Sequence, residues 1–294
     1  MFGKHLQTKL ENSIKVRLLR LTSSPLLGYI VPFLPYQPRS NAYMHPKRPS
    51  PDTEEIPIDL PVPPEYLWLG YGKTTEVYLG SGKRHVDQML YALATTGWSL
   101  PSGDRVLDFG CGAGRMTRWF ADLATTCEIW GTDISAEHIV WCQQHLTPPL
   151  QFVTTTTMPH LPFEDHTFGL IYANSVFSHL DDLADAWFLE LRRIARPGGR
   201  LYITVMDQTS IEILAREEWK TFWLAWYLLG QREYRTFIRA NFGMFTIGRA
   251  LRAQVFYDRD YLCRKLARWF KIHAVIPEAY GFQTGLILEK VATG

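Results

Sequence analysis

Val106-Leu107-Asp108-Phe109-Gly110-Cys111-Gly112-Ala113-Gly114-Arg115 reads as a short buried strand that ends on an acidic residue and runs into three glycines at alternate positions. The residues that follow, Met116 to Leu123, read as an amphipathic helix. Glycine has no β-carbon, so such a turn adopts dihedrals closed to other residues, and a ligand can lie directly against main-chain amides at the start of the helix. The spacing also argues against one rival. A dinucleotide fingerprint needs glycine at the last position of Gly-x-Gly-x-x-Gly, and counted from Gly110 that position is Arg115. A turn built for pyrophosphate is therefore not the first reading.

Outward from this stretch, short apolar runs alternate with helical patterns: 106–109, 116–123, 128–132, 136–145, 151–153, 169–173, 183–195 and 201–205. Alternation of this kind predicts an α/β fold, doubly wound, with a mostly parallel sheet, right-handed crossovers and helices on both faces. Pro197, Gly198 and Gly199 stop the helix before the last of these strands. Upstream, 65–96 reads mostly as helix, at least from Gly82, where Val86, Met89, Leu90 and Leu93 share a face. Downstream, 208–256 shows no strand run and reads as inserted helices, rich in aromatics (Trp219, Phe222, Trp223, Trp226, Tyr227, Tyr234, Phe237, Phe242, Phe245) interleaved with Arg232, Arg235, Arg239, Arg249 and Arg252. The spacing of Trp219, Phe222, Trp226 and Leu229 favours packing over a stacking platform. Residues 270–275 and 283–290 return as strands around Pro277 and Gly281.

Length and composition bound the rest. The chain has 294 residues, 46% of them hydrophobic, which supports one large domain with extensions. The boundary falls in the proline-rich stretch 46–64: residues 1–64 form a basic amphipathic extension plus linker, and 65–294 the main domain. Within 1–34, Lys4, Lys9, Lys15, Arg17 and Arg20 accompany Leu6, Leu10, Ile14, Leu18 and Leu21 at helical spacing. That segment suits a helix packed across the domain, or one that contacts a membrane surface peripherally. No apolar run approaches the ~20 residues of a membrane span. A net charge of +2 gives no field of the size nucleic acid requires. The four cysteines show no metal-ligand spacing, so no metal is expected, and a reduced, cytoplasmic protein is.

Asp108-x-Gly110-x-Gly112-x-Gly114 resembles the glycine motif of the class I S-adenosylmethionine-dependent methyltransferases, and the likeness extends along the chain. Cys127 to Asp133 resembles the family's second strand with its acidic terminus, Leu161 to Tyr172 the approach to the fourth strand, and Ser175 to Leu180 with Arg196 to Gly199 continues the match. The resemblance implies the Rossmann-like methyltransferase fold: seven strands with an antiparallel final strand, a helical insertion after the fifth strand, and here an N-terminal helical extension. It implies S-adenosylmethionine as cofactor and a small molecule as methyl acceptor.

The expected cofactor site comprises Asp108, Gly110, Cys111, Gly112, Gly114, Asp133, Ile134, Thr157, Met158 and Asn174. By resemblance, Asp108 organises the turn or reaches the cofactor's amino group. Asp133, at the tip of the second strand, suits ribose hydroxyls, with Ile134 on an adenine face. Many relatives carry an acidic residue after the third strand; this chain has threonines, which leaves the backbone of Thr157 and Met158 for adenine. Gly169 likewise stands where relatives commonly have aspartate. Asn174 follows the fourth strand and faces the methyl-transfer region. His179 is the histidine best placed by chain position for a general base, with capping of the next helix as its other role. Methyl transfer to oxygen comes first, then nitrogen or carbon, and an apolar, aromatic or anionic acceptor suits the aromatic and arginine-rich insert. The rivals are a nicotinamide oxidoreductase, a nucleic-acid methylase, which the run Asn174-Ser175-Val176-Phe177 disfavours, and a catalytically silent cofactor-binding or membrane-surface scaffold.

Overall fold

A computed structural model describes residues 60–231, 243–248 and 253–291. The N-terminal helical extension, most of the proline-rich linker, and the arginines at 232, 235, 239, 249 and 252 lie outside the described residues.

Five parallel strands form as the apolar runs predict: β1 (Arg105–Phe109), β2 (Glu128–Asp133), β3 (Gln151–Thr154), β4 (Phe168–Ala173) and β5 (Ala195–Val205). Two more complete the sheet, β8 (Phe270–Tyr280) and β9 (Gln283–Lys290), in the order β3-β2-β1-β4-β5-β9-β8. β9 is wedged antiparallel between β5 and β8, so it alone runs against the rest. This is the seven-stranded, Rossmann-like methyltransferase fold with an antiparallel final strand. Strand order reverses at β1, whose neighbours are β2 and β4, and the tip of β1 is the position at which an open α/β sheet leaves a crevice.

Period-two alternation sorts the side chains of the central strands onto two cores. Leu107, Phe109, Ile171 and Ala173 pack with Trp187, Phe188, Leu191 and Ile194 of α3 (Ala184–Ile194) and with Leu262 and Leu266 of α6 (Arg259–Leu266). Val106, Leu170 and Tyr172 face the other way, against Val86, Met89 and Leu93 of α1 (Thr75–Thr95) and Ile139 and Cys142 of α2 (Ala136–His145). Asp108 shares the parity of Val106, so its carboxylate enters the α1 side.

α1 begins earlier than its apolar stripe suggests because Thr74 caps it, accepting a hydrogen bond from the Val77 amide, while Gly70 and Gly72, both at positive φ, separate it from a single 3-10 turn at Glu65–Leu67. The segment after the glycine turn differs from expectation. Instead of an amphipathic α-helix it forms two 3-10 turns, Thr117–Phe120 and Asp122–Thr125. Three residues per turn bring positions i and i+3 onto one side. Arg115, just before the first turn, and Arg118, within it, are both buried, Arg118 donating to the Leu60 carbonyl.

The insert contains the expected helices, α4 (Gln208–Leu214) and α5 (Trp223–Leu229), and also an antiparallel ribbon that the sequence reading did not anticipate: β6 (Met244–Ile247) with β7 (Gln254–Tyr257). Each strand is only four residues long, too short for period two to stand out. Neighbouring chain supplies the stability, since the Val255 amide donates to the Ser178 carbonyl and the Tyr257 amide to Met206. Met206, Leu214, Leu224, Tyr227, Phe245 and Phe256 form a third core, with Trp219, Phe222 and Trp226 packed against it. These aromatics are packing residues, as their spacing favours.

Candidate functional site

β1 delivers the chain into the glycine turn, and the turn is stabilised from three directions. Gly110 sits at φ +84°, and a β-carbon there would collide with the Val176 side chain beyond β4. The Gly110 and Cys111 amides both donate to the Thr132 carbonyl at the tip of β2. Helix α1 presses on the far end, where Gly82 leaves room for the Arg115 carbonyl that any side chain would displace.

Above this turn lies a cavity with roughly 400 Å³ of empty space including its open mouth. Its floor is Asp108, Gly110, Cys111, Gly112, Ala113, Arg115 and Met116; Asn174 comes from the end of β4, Tyr78 from α1 and Tyr280 from β8. Leu67, Trp68, Leu69 and Tyr71 cross its mouth. This covering strap is anchored: the Leu67 carbonyl lies 3.1 Å from His138 Nε2, Trp68 Nε1 donates to the Pro63 carbonyl at 2.7 Å, and the Trp68 ring stacks on Tyr78 at 4.9 Å. Leu69 has positive φ and stays exposed at the rim.

Asp108 is 4% exposed, and both of its hydrogen bonds fall on one oxygen: Oδ2 accepts from the Thr117 hydroxyl at 2.6 Å and from the Tyr172 hydroxyl at 2.9 Å. Oδ1 accepts no hydrogen bond from the described residues, and Asp108 is part of the cavity lining. Burial pushes the carboxyl up to about 7, against the opposing pull of the two hydroxyls and Arg115. Asn174 offers a second orphan: its Nδ2 lies 3.1 Å from the Met116 sulfur, while its buried Oδ1 has no partner. Two unfilled acceptors in one small cavity call for a ligand that donates. The Cys111 and Cys142 thiols are pushed well up by burial and are therefore poor nucleophiles.

Of the residues expected from sequence, Asp108, Gly110, Cys111, Gly112 and Asn174 line the cavity. Gly114 does not; it packs beneath, and a β-carbon on it would stand 2.6 Å from Leu146. Asp133 stands beside the cavity and braces the turn, Oδ2 accepting from the Gly112 amide and Oδ1 from the Ser135 amide, each at 2.8 Å. Ile134, Thr157 and Met158 lie outside the cavity wall, and the loop after β3 leaves Thr157 and Met158 exposed. His179 is also outside it: Nδ1 lies 2.8 Å from the Ala253 carbonyl, which ties this histidine to the insert. A general base must reach the proton it removes, so His179 would serve only an acceptor held on the insert side of this cavity. Sequence reading missed Tyr71, Tyr78, Tyr280, Thr117 and Tyr172 in and around the site. It used Arg115 only to exclude a dinucleotide motif. A buried arginine directly after the third glycine was the one legible signal among them.

Fold and site together define a class: Rossmann-like α/β domains with a glycine turn after the first strand. Residues 107–203 match the family model of the methyltransferase domain. Among curated proteins, the chain is 30% identical over 109 residues to a malonyl-[acyl-carrier protein] O-methyltransferase of Hahella chejuensis, covering 37% of this chain and 39% of that protein. It is 28% identical over 146 residues to a fatty-acid O-methyltransferase of Mycolicibacterium smegmatis, covering 48% and 53%. To a sterol 24-C-methyltransferase of Schizosaccharomyces pombe it is 31% identical, over 42% and 32%. The chain thus spans about a third to a half of the length of these relatives. A solved structure from Pyrococcus horikoshii shares the fold at a TM-score of 0.50 and 18% identity, covering 71% of this chain and 91% of that one. The chain carries a class I S-adenosylmethionine-dependent methyltransferase domain, and S-adenosylmethionine is the cofactor of that domain. No helix among the described residues is long and apolar enough to cross a membrane.

Proposed function

We propose that this protein transfers the methyl group of S-adenosylmethionine to an oxygen of a small-molecule acceptor, leaving S-adenosylhomocysteine. The observation that carries the reading is the cavity at the tip of β1, whose lining brings together the glycine turn, Asp108 and Asn174. When bound, the cofactor supplies a methyl group on a positively charged sulfur, a good leaving group. The protein's contribution is then alignment and exclusion of water. The glycine turn offers backbone at close range, Asp108 and Asn174 accept hydrogen bonds from a donor group, and the strap from Leu67 to Tyr71 covers the mouth. Asp133 holds the turn in shape through the Gly112 amide and retains lone pairs for ribose hydroxyls. Oxygen as the acceptor atom draws support from the two relatives named as O-methyltransferases of a malonyl group and of fatty acids.

Incubating the full chain with methyl-labelled S-adenosylmethionine and a panel of small carboxylic acids, phenols and alcohols tests this directly. Label is expected on oxygen, with stoichiometric S-adenosylhomocysteine. Label recovered on nitrogen or carbon would refute the acceptor atom. Cofactor binding without turnover on any acceptor would favour a silent binding protein.

A further inference from the structure

At the tips of β4, β5 and β9, polar groups of Ser175, Ser178, Thr204 and Gln283 close into one hydrogen-bond network that holding the cofactor does not require. The Ser175 amide donates to Thr204 Oγ1 at 2.8 Å, the Thr204 hydroxyl donates to Gln283 Oε1 at 2.8 Å, and Gln283 Nε2 donates to Ser175 Oγ at 2.9 Å. Ser178 Oγ lies 3.3 Å from Ser175 Oγ. Thr204, Ser178 and Gln283 are 0, 0 and 4% exposed, whereas Ser175 is half-buried, so the network opens outward at that one residue. Its neighbours place Ser175 beside the cofactor turn: Asn174 lines the cavity, and a β-carbon on Gly110 would meet the Val176 side chain. A φ of +60° is costly for a residue with a β-carbon, and the bond from its amide to Thr204 holds Ser175 there.

The direction of each bond decides what Ser175 can offer. Thr204 Oγ1 accepts from the Ser175 amide and sends its own proton to Gln283 Oε1, which turns the carboxamide nitrogen toward Ser175. Ser178 is fully buried, and its hydroxyl gives its proton to Ser175 Oγ. Ser175 Oγ thus accepts twice, a hydroxyl's full capacity, and one function is left to it: donation of its own proton, which no other described residue takes. We propose that Ser175 donates this hydrogen bond to a carboxylate of the methyl acceptor, with Gln283, backed by Thr204, as its positioning residue. The assignment rests on the methyltransferase reading and narrows its acceptor to a carboxylic acid. A carboxylate is ionised at neutral pH without help from a base, and a hydroxyl donating to it makes a charge-assisted bond. With one oxygen held by Ser175, the other attacks the methyl carbon. The O–C bond forms as the S–C bond breaks, the electron pair of that bond stays on sulfur, and the products are a methyl ester and S-adenosylhomocysteine, with no proton transferred.

The experiment gives the full chain methyl-labelled S-adenosylmethionine with butanoate, octanoate, palmitate and benzoate, and with octanol and phenol as uncharged counterparts. Affinity for S-adenosylhomocysteine is measured separately by calorimetry. Methyl ester of at least one acid is expected, and no ether. In Ser175→Ala, kcat/KM for that acid should fall on the order of ten- to a hundredfold, mostly through KM, the range of a hydrogen bond to a charged group. Affinity for S-adenosylhomocysteine should stay within about twofold in the same variant. Gln283→Leu keeps the Ser175 hydroxyl but frees it to rotate, so kcat/KM should fall by about three- to tenfold. Ether without ester would overturn the proposal, as would unchanged ester formation in Ser175→Ala. If Ser175→Ala weakens S-adenosylhomocysteine in the same proportion as it lowers kcat/KM, Ser175 is a brace for the β4 tip and the proposal fails. An unchanged kcat/KM in Gln283→Leu overturns the positioning role, and if that variant does not fold, Ser175→Ala decides alone. Cofactor affinity without ester from any of the acids overturns this proposal and leaves the cofactor site standing, whereas a chain with no affinity for S-adenosylhomocysteine overturns the methyltransferase reading as well.

Discussion

At the scale of single residues, Asp108 links cofactor affinity to pH. An exposed aspartate ionises near 3.8, whereas buried Asp108 keeps its proton until about 7. The free protein therefore loses stability as pH rises through that window, because the unfolded carboxyl is already ionised there while the folded one is not. A bound ammonium group reverses the preference and draws Asp108 into its charged form. Affinity for S-adenosylhomocysteine should accordingly rise between pH 6 and 7, by up to about tenfold per unit, and level off above. Asp108→Asn should flatten that profile in calorimetry; a parallel profile in the variant would assign the effect to another group. Asp133→Ala should weaken binding by roughly 1 to 3 kcal/mol, because it removes ribose acceptors and also frees the Gly112 amide. His179→Ala should leave cofactor affinity unchanged, since the imidazole lies outside the cavity.

At the scale of elements, close approach and capping matter more than propensity. Gly82 lets α1 rest on the Arg115 carbonyl, and Gly82→Ala should lift the helix and cost about 1–3 kcal/mol in denaturant melts, the usual range for overpacking. A change of less than a few tenths would mean that α1 yields freely. α3 packs Trp187, Phe188, Leu191 and Ile194 into one core, and Leu191→Ala should cost about 2–5 kcal/mol. The end of that helix is capped in an unusual way. Lys290 of β9, only 4% exposed, donates to the Arg193 and Ala195 carbonyls at 3.2 and 2.8 Å, so a residue remote in sequence meets carbonyls the helix leaves open. The departure at Gly169 also has a local cause: the Asp104 carboxylate, paired with Arg196 at 2.7 Å, occupies the space a side chain at 169 would need. A carboxylate is thus present at that place, supplied by another strand end.

At the scale of the whole molecule, one site draws on distant segments: the strap before α1, the turn after β1, the end of β4 and the end of β8. Ligand binding should therefore stabilise the domain as a unit. S-adenosylhomocysteine at about a hundred times its Kd should add about 2.7 kcal/mol, read as a rise in Tm, and Gly110→Val should abolish that rise while leaving a folded protein. An undiminished shift in the variant would place the ligand away from the β1 turn.

The alternation of strands and helices, the glycine turn and the acidic strand tips were legible because each depends on residues close together in the chain: period two, period 3.6 and the absence of a β-carbon are local properties. Asp108, Gly110, Cys111, Gly112 and Asn174, which line the cavity, were singled out that way, since every one flanks a strand end. The ribbon β6–β7 was not, because four-residue strands are stabilised by partners such as Ser178 and Met206 that no local pattern announces. The position of His179 and the inward turn of Arg115 were decided by packing, the first against Ala253 and the second among Ser81, His85 and Tyr280. Local sequence determined where a cofactor turn would form. Only the tertiary structure decided which charges face it, because burial and the loss of competing water make the partner of a side chain a property of the assembled fold.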